Sequence, residues 1–324
     1  LFSVLRGVID LRRRSGEAAG QFLLLGSASR VLLQQASESL TGRVAQVELT
    51  PLQGREVLPS DAAADHNPLW VRGGFPLSWL AVDDAASLRW REAFIATYLE
   101  RDIPALGPRI PATTLRRLWT MLAHGQGGLL NQSQLAASLA INGQNVARYI
   151  DLLCDLMLVR RLPAWHGSVG KRLVRAPKVY VRDSGIVHAL LGLADLQAVL
   201  AHPVAGGSWE GFVIEQLIAA APQAGASFYR TSNGAEADLV LSFRGGNTWV
   251  VEIKRSSAPT VSRGFHQAAA GVGATRKLLI APVDRAYPMR DGIEVMSPRA
   301  AARLLPPQGE ISASSRAGVR SHQP

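Results

Sequence analysis

Three residues in the C-terminal third have the types and spacing for phosphodiester chemistry. Asp238 closes the run Gly234-Ala235-Glu236-Ala237-Asp238, and Glu252 and Lys254 flank Ile253. Trp249, Val250, Val251 and Ile253 make the second segment a buried strand, on which residues two apart point to one face about 6.5–7 Å from each other. Asp238 opens the preceding strand and can meet them across a hairpin. Two facing carboxylates are costly unless a proton or a divalent cation lies between them. Mg²⁺ is the natural guest for such a pair with water, and the lysine would steady a nucleophilic water or developing phosphate charge. The competing reading is a surface ion pair between Glu252 and Lys254, disfavoured because a charge inside an apolar strand is expensive to bury. A scaffold without turnover stays open as well.

A second set of residues suits nucleic acid. Leu135, Leu139, Ile141, Val146, Ile150, Leu153 and Leu158 fit two helices crossing at Asn142-Gly143, with a short strand or wing following, over about residues 133–165. Gln144, Asn145 and Arg148 then lie on the outer face at the start of the second helix, where such motifs touch bases or phosphates. Tyr149 and Cys154 read as packing residues. Between Val159 and Arg182 stand seven basic residues and no acidic one: Arg160, Arg161, Lys171, Arg172, Arg175, Lys178 and Arg182. That stretch is a phosphate-contacting surface or, more plainly, a solvated basic face.

These segments need elements to position them. The 324 residues suggest two or three domains. The net charge of +10 favours an anionic partner, although only four of the 35 basic residues are lysine and part of the charge reflects an arginine- and alanine-rich composition. A single cysteine excludes a disulfide framework and fits a cytoplasmic setting. No apolar run approaches the roughly 20 residues of a membrane span, and scattered histidines offer no zinc spacing. The chain opens on Leu1 within an amphipathic stretch, read as a fragment. Residues 1–14 predict a helix, and Gln21–Leu25 and Val44–Leu49 predict strands of a partial parallel α/β sheet, with a helix from near Arg30 between them. Helices follow over about 83–102 and 111–123. From Ser208 the expected order is helix (208–221), strands (227–231, 238–243, 248–254), helix (263–271) and strand (276–281).

This αβββαβ order, with Asp238…Glu252-x-Lys254, resembles the PD-(D/E)xK nuclease superfamily. The resemblance implies Glu210, in Trp209-Glu210-Gly211-Phe212, as a helix-borne metal carboxylate beside Asp238 and Glu252. It makes Glu236 a substitute or assistant for Asp238, and Gln267 a contact at the site's edge. Phe22–Leu52, Tyr98–Asp102 and the helix–turn–helix together resemble prokaryotic AAA-type ATPases with a C-terminal domain of unknown function, over about residues 1–298. The implied architecture is an α/β multidomain chain. It comprises an ATPase remnant with a partial parallel sheet (1–55), a helical connector (56–125), a winged helix (126–182), a nuclease-like domain (183–305) and a disordered tail (306–324). By the same resemblance Ser27 occupies a nucleotide-sensing position and Arg43 a phosphate-sensing or finger position; the plainer readings are a helix cap and a surface charge. No G-x-x-x-x-G-K-[ST] is present, and Gly167–Arg172 lacks the spacing and the hydroxyl. ATP binding is therefore expected of full-length relatives and not of this chain alone. Self-association, or a separate chain supplying the missing half, is the accompanying expectation.

Overall fold

The structure is a computed structural model and describes residues 2–17, 19–25, 40–45, 47–59, 65–105, 110–167 and 173–305. The first helix, α1 (Phe2–Arg14), ends on Arg12, Arg13 and Arg14, which suit the negative end of its dipole. The two strands expected nearby do not form. Residues 21–25 and the described part of 44–49 are irregular, with Leu23, Leu25 and Leu49 more than four-fifths exposed. A strand persists only by bonding to a neighbour, and neither segment has a strand partner among the described residues. The partial parallel sheet is therefore corrected to coil there. Ser27, the helix from near Arg30 and the tail 306–324 lie outside the described residues.

A helical block follows. It contains α2 (Asn67–Arg72), α3 (Asp84–Thr97), which continues as a π-helical turn through Tyr98–Asp102, and α4 (Ala112–His124). Asp83 caps α3 by accepting from the Ala86 amide at 2.6 Å. Trp70 and Trp119, both fully buried, anchor this block in the main core. Arg91 is fully buried yet donates to the carbonyls of Val71 (3.1 Å) and Gly185 (2.8 Å), which joins α2 to a distant segment.

Two capped helices come next, α5 (Gln132–Leu139) and α6 (Gly143–Asp155). Asn131 and Asn142 accept from the amides three residues on and so cap the start of each helix. Strands β1 (Val159–Leu162) and β2 (Lys178–Val181) form an antiparallel ribbon with Val159 opposite Val181. The other edge of β2 is covered too: Gly127 donates to Val179 and Val179 donates to Gly128. After α7 (Ser184–Leu190) comes the long α8 (Ala205–Ala220).

The second sheet has six strands: β3 (Gly225–Arg230), β4 (Glu236–Ser242), β5 (Thr248–Ile253), β6 (Arg276–Ile280), β7 (Tyr287–Pro288) and β8 (Ile293–Met296), in the order β3-β4-β5-β6-β8-β7. Strands β3, β4 and β5 are antiparallel, whereas β5, β6 and β8 run parallel, as the crossover helix α9 (Arg263–Val272) between β5 and β6 requires. Alternation divides the faces. Leu239, Leu241, Val251 and Leu278 pack with the helical core, and Val240, Val250 and Leu279 pack with Phe265 and Ala268 of α9. A last helix, α10 (Pro298–Leu304), packs against α8. No helix among the described residues is long and apolar enough to cross a membrane.

The ribbon is stitched to this sheet. The register of β3 against β4 slips between Ser227 and Tyr229, which leaves the Phe228 backbone free to turn outward. Phe228 accepts from the Trp165 amide (2.7 Å) and donates to Pro163 (3.0 Å), while Val174 donates to Arg230 (3.0 Å). The loop between β1 and β2 thus covers the β3 edge, which would otherwise be open to unwanted pairing.

Candidate functional site

Asp238, Glu252 and Lys254 do come together. The β4–β5 ladder ends at Leu239 opposite Val251, with Asp238 one position beyond. Asp238 Oδ2 accepts from the Ile253 amide at 2.8 Å, and Lys254 Nζ lies 2.7 Å from Glu252 Oε1. The Glu252–Lys254 pair set aside in the sequence therefore exists. Its carboxylate is buried while its ammonium is about two-fifths exposed. Glu210 reaches the same place from α8, and Glu236 from the start of β4. Gln267 is exposed on α9 and makes no hydrogen bond to these acids among the described residues.

A residue the sequence assigned to the basic surface completes the cluster. Lys178 of β2 is only 3% exposed, and its Nζ lies 3.0 Å from Glu210 Oε1, 3.0 Å from Glu236 Oε1 and 3.7 Å from Asp238 Oδ1. Tyr180, two residues on and so on the same strand face, donates to Glu210 Oε1 at 2.5 Å. The Phe228 ring lies 5.6 Å beneath the ammonium. The pattern Lys178-Val179-Tyr180-Val181 held the signal: one lysine in an apolar strand, with a phenol at the next position on its face. Summing charge along the chain concealed it.

The electrostatics follow from this crowding. Burial alone would lower the Lys178 ammonium, but the carboxylates of Glu210, Asp238 and Glu236 outweigh it and hold the group above its ordinary value. Burial, and then the neighbouring Glu210, push Asp238 well above the carboxylate range against the pull of Lys178. Burial also raises Glu252, with Lys254 opposing. Burial and then Glu210 raise the Tyr180 phenol far above its usual value.

The expected Mg²⁺ set of Glu210, Asp238 and Glu252 does not fit this arrangement. The space between the carboxylates is held by the Lys178 ammonium, and no three His, Cys, Asp or Glu side chains among the described residues converge as a metal site. A metal needs free carboxylate lone pairs, and here Lys178 and Tyr180 engage Glu210 Oε1, Lys254 engages Glu252 Oε1 and the Ile253 amide engages Asp238 Oδ2.

The basic stretch is likewise less free than its sequence suggests. Arg160 and Arg182 both turn inward to Glu215 of α8. Arg160 makes a two-point contact that includes Nη2–Oε2 at 2.9 Å, and Arg182 Nε lies 3.0 Å from the same oxygen. Arg182 also pairs with Glu48. Burial would raise Glu215, but Arg160 and Arg182 outweigh that and hold it below its ordinary value. Arg160, expected as a phosphate contact, is thus engaged by Glu215. Arg161 is exposed and pairs with Asp151 at 2.7 Å. Gln144, Arg148 and Arg175 are exposed and Asn145 half-buried, whereas Lys171 and Arg172 lie outside the described residues. Arg43, the phosphate-sensing candidate, is held by Asp10 of α1 through Nε at 2.7 Å and Nη2 at 3.0 Å.

Comparison with known proteins matches three parts of the chain. Residues 1–58 match the model of an AAA domain, residues 64–197 a domain of unknown function (DUF8612), and residues 205–300 another domain of unknown function (DUF4143). Uncharacterized proteins of Mycobacterium bovis (strain ATCC BAA-935 / AF2122/97) and Mycobacterium tuberculosis (strain ATCC 25618 / H37Rv) are each 43% identical over 293 residues, covering 90% of this chain. The chain spans 64% of the length of these curated relatives. No solved structure matches it. The AAA match at the N-terminal end and the DUF4143 match together support an AAA-type ATPase-like family with a C-terminal domain of unknown function.

Proposed function

We propose that this chain is the nucleic-acid-binding part of an AAA-type ATPase-like protein, acting as a regulator or adaptor rather than as a metallonuclease. Residues 126–182 serve as a winged helix, and residues 183–305 as a PD-(D/E)xK-like domain that supports it. The observation that carries this reading is the pairing of Lys178 with the acidic cluster, which uses the nuclease-like carboxylates to hold the ribbon. Support for the nucleic-acid partner comes from the net charge of +10 and from the exposed Gln144 and Arg148 at the start of α6, with Arg175 on the ribbon loop. ATP, by the same resemblance, is a ligand of full-length relatives.

A second reading, Mg²⁺-dependent phosphodiester cleavage, is favoured by one observation, the meeting of Asp238, Glu252 and Lys254 at one end of β4 and β5. The two readings differ in what the acids do, not in the fold.

Fluorescence anisotropy with duplex DNA tests the partner. Binding should weaken steeply between about 50 and about 200 mM salt. Arg148→Ala and Arg175→Ala should each weaken it and lower the salt slope by about one. Binding that ignores salt, or unchanged slopes in both variants, would contradict the proposal.

A further inference from the structure

We infer that Lys178 is the resident cation of the acidic cluster, an internal ammonium standing where a nuclease-like site would place a divalent metal and joining the β1–β2 ribbon to the β4–β5 hairpin. This goes beyond the nucleic-acid reading and holds whether or not the chain binds DNA.

Position is the first ground. Glu210 comes from α8, Glu236 and Asp238 from β4 and Glu252 from β5, all acids that would surround a metal. The cation shared by three of them is Lys178 Nζ, at 3.0, 3.0 and 3.7 Å. The second ground is burial: the Lys178 side chain is only 4% exposed, so its charge is compensated by these acids rather than by water. A third ground is the scaffolding that fixes the lysine. β2 is hydrogen-bonded on both edges, by β1 and by residues 127–130. The Gln126 side chain donates to the Val181 carbonyl at 3.0 Å and accepts from its amide at 2.8 Å. Tyr180 secures Glu210 beside the ammonium. A lysine on a free surface would need none of this.

The two lysines of the site therefore have different tasks. Lys254 pairs with Glu252 and keeps two-fifths of its side chain in water. Lys178 supplies the interior positive charge. Four carboxylates about two ammonium groups leave the cluster acidic even so, with Arg230 only 3.7 Å from the outer oxygen of Glu236. Taking Lys178 away thus frees acceptor oxygens of the kind that Mn²⁺ or Mg²⁺ binds.

Mn²⁺ binding by the full chain tests this, read by titration calorimetry and by the thermal melt with and without Mn²⁺. Wild type should show no Mn²⁺ binding that is lost in Asp238→Asn. Lys178→Ala should bind Mn²⁺ at least about tenfold more tightly than wild type, with that gain abolished when Asp238→Asn is added. Because Lys178→Ala could fail to fold, Lys178→Gln combined with Glu236→Gln keeps the cluster's net charge and is measured in parallel. A variant that loses its fold and regains it with Mn²⁺ counts for the inference. Asp238-dependent Mn²⁺ binding by wild type would overturn it, and so would variants that gain neither binding nor stability from Mn²⁺.

Discussion

Helix α8 meets the β1–β2 ribbon at two charged contacts built to opposite plans. Near its start, Glu210 joins two further carboxylates, Glu236 and Asp238, around Lys178, so acid outnumbers base. One and a half turns on, Glu215 receives Arg160 and Arg182, with Glu48 completing an even balance of two and two. The consequences diverge. Glu215 is held below its ordinary pKa by its two guanidinium partners, whereas Asp238 and Glu252 are pushed above theirs by burial and crowding. A balanced contact is explained by holding two elements together. An overcharged one carries an electrostatic cost that structure alone has no need of, and it marks where the molecule departs from simple packing.

The widest separation between the two contacts should come from deleting the buried ammonium. Lys178→Ala at neutral pH leaves the acids without their interior cation and should cost about 3–5 kcal/mol in urea unfolding. A loss under about 1 kcal/mol would show that Lys178 is dispensable. Glu215→Ala strands two arginines but leaves them nearer water, so about 2–3 kcal/mol is expected. Equal losses at the two contacts would remove the distinction drawn between them.

Packing between the two contacts can be probed at Gly211. A Cβ there would sit 2.6 Å from Gln126 Nε2 and 3.0 Å from Tyr180 Cδ1, so the glycine lets β2 lie close to α8. Gly211→Ala should cost about 1–3 kcal/mol and weaken protection of the Val181 amide in hydrogen exchange. An unperturbed Val181 amide would mean that α8 does not seat the ribbon.

A graded effect, small per pH unit, belongs to His188. It is fully buried, bonded through Nδ1 to the Val71 carbonyl (3.0 Å) and through Nε2 to Ser208 Oγ (2.7 Å), and burial holds its pKa down to about 3. Its folded value lies below the ordinary 6.5, so its stabilisation is present above that pH and is lost as the pH falls toward 3. The slope from this one group is up to about 1.4 kcal/mol per pH unit. Urea unfolding across that window should show a flatter profile in His188→Gln; an unchanged profile would assign the acid sensitivity to other groups.

Much of the C-terminal architecture was legible because local rules agree there. The strands at 225–230, 236–242 and 248–253 are apolar runs bounded by turns such as Asn233-Gly234 and Gly245-Gly246, and the crossover helix begins at a serine cap, Ser262. The pair of helices at 132–139 and 143–155 was marked by two asparagine caps and an apolar stripe. The meeting of Asp238 with Glu252 and Lys254 needs only a hairpin, so it too could be read. The partners of Lys178 could not, since they lie 32 to 60 residues away and proximity in space is invisible to a count of charges along the chain. For the same reason Arg160 and Arg182 read as surface when they face Glu215. The strands expected at 21–25 and 44–49 failed in the opposite way: local pattern favoured them, but a strand requires a neighbour.

The central claim, nucleic-acid binding without metal-dependent cleavage, is tested most directly on supercoiled and single-stranded DNA with Mg²⁺ or Mn²⁺. Wild type, Asp238→Ala and Lys254→Ala are compared, with binding followed in parallel. The account predicts salt-sensitive binding that is indifferent to metal, equal in all three proteins, and no cleavage by any of them. Cleavage by wild type that disappears in both variants would contradict it and establish a nuclease at Asp238, Glu252 and Lys254.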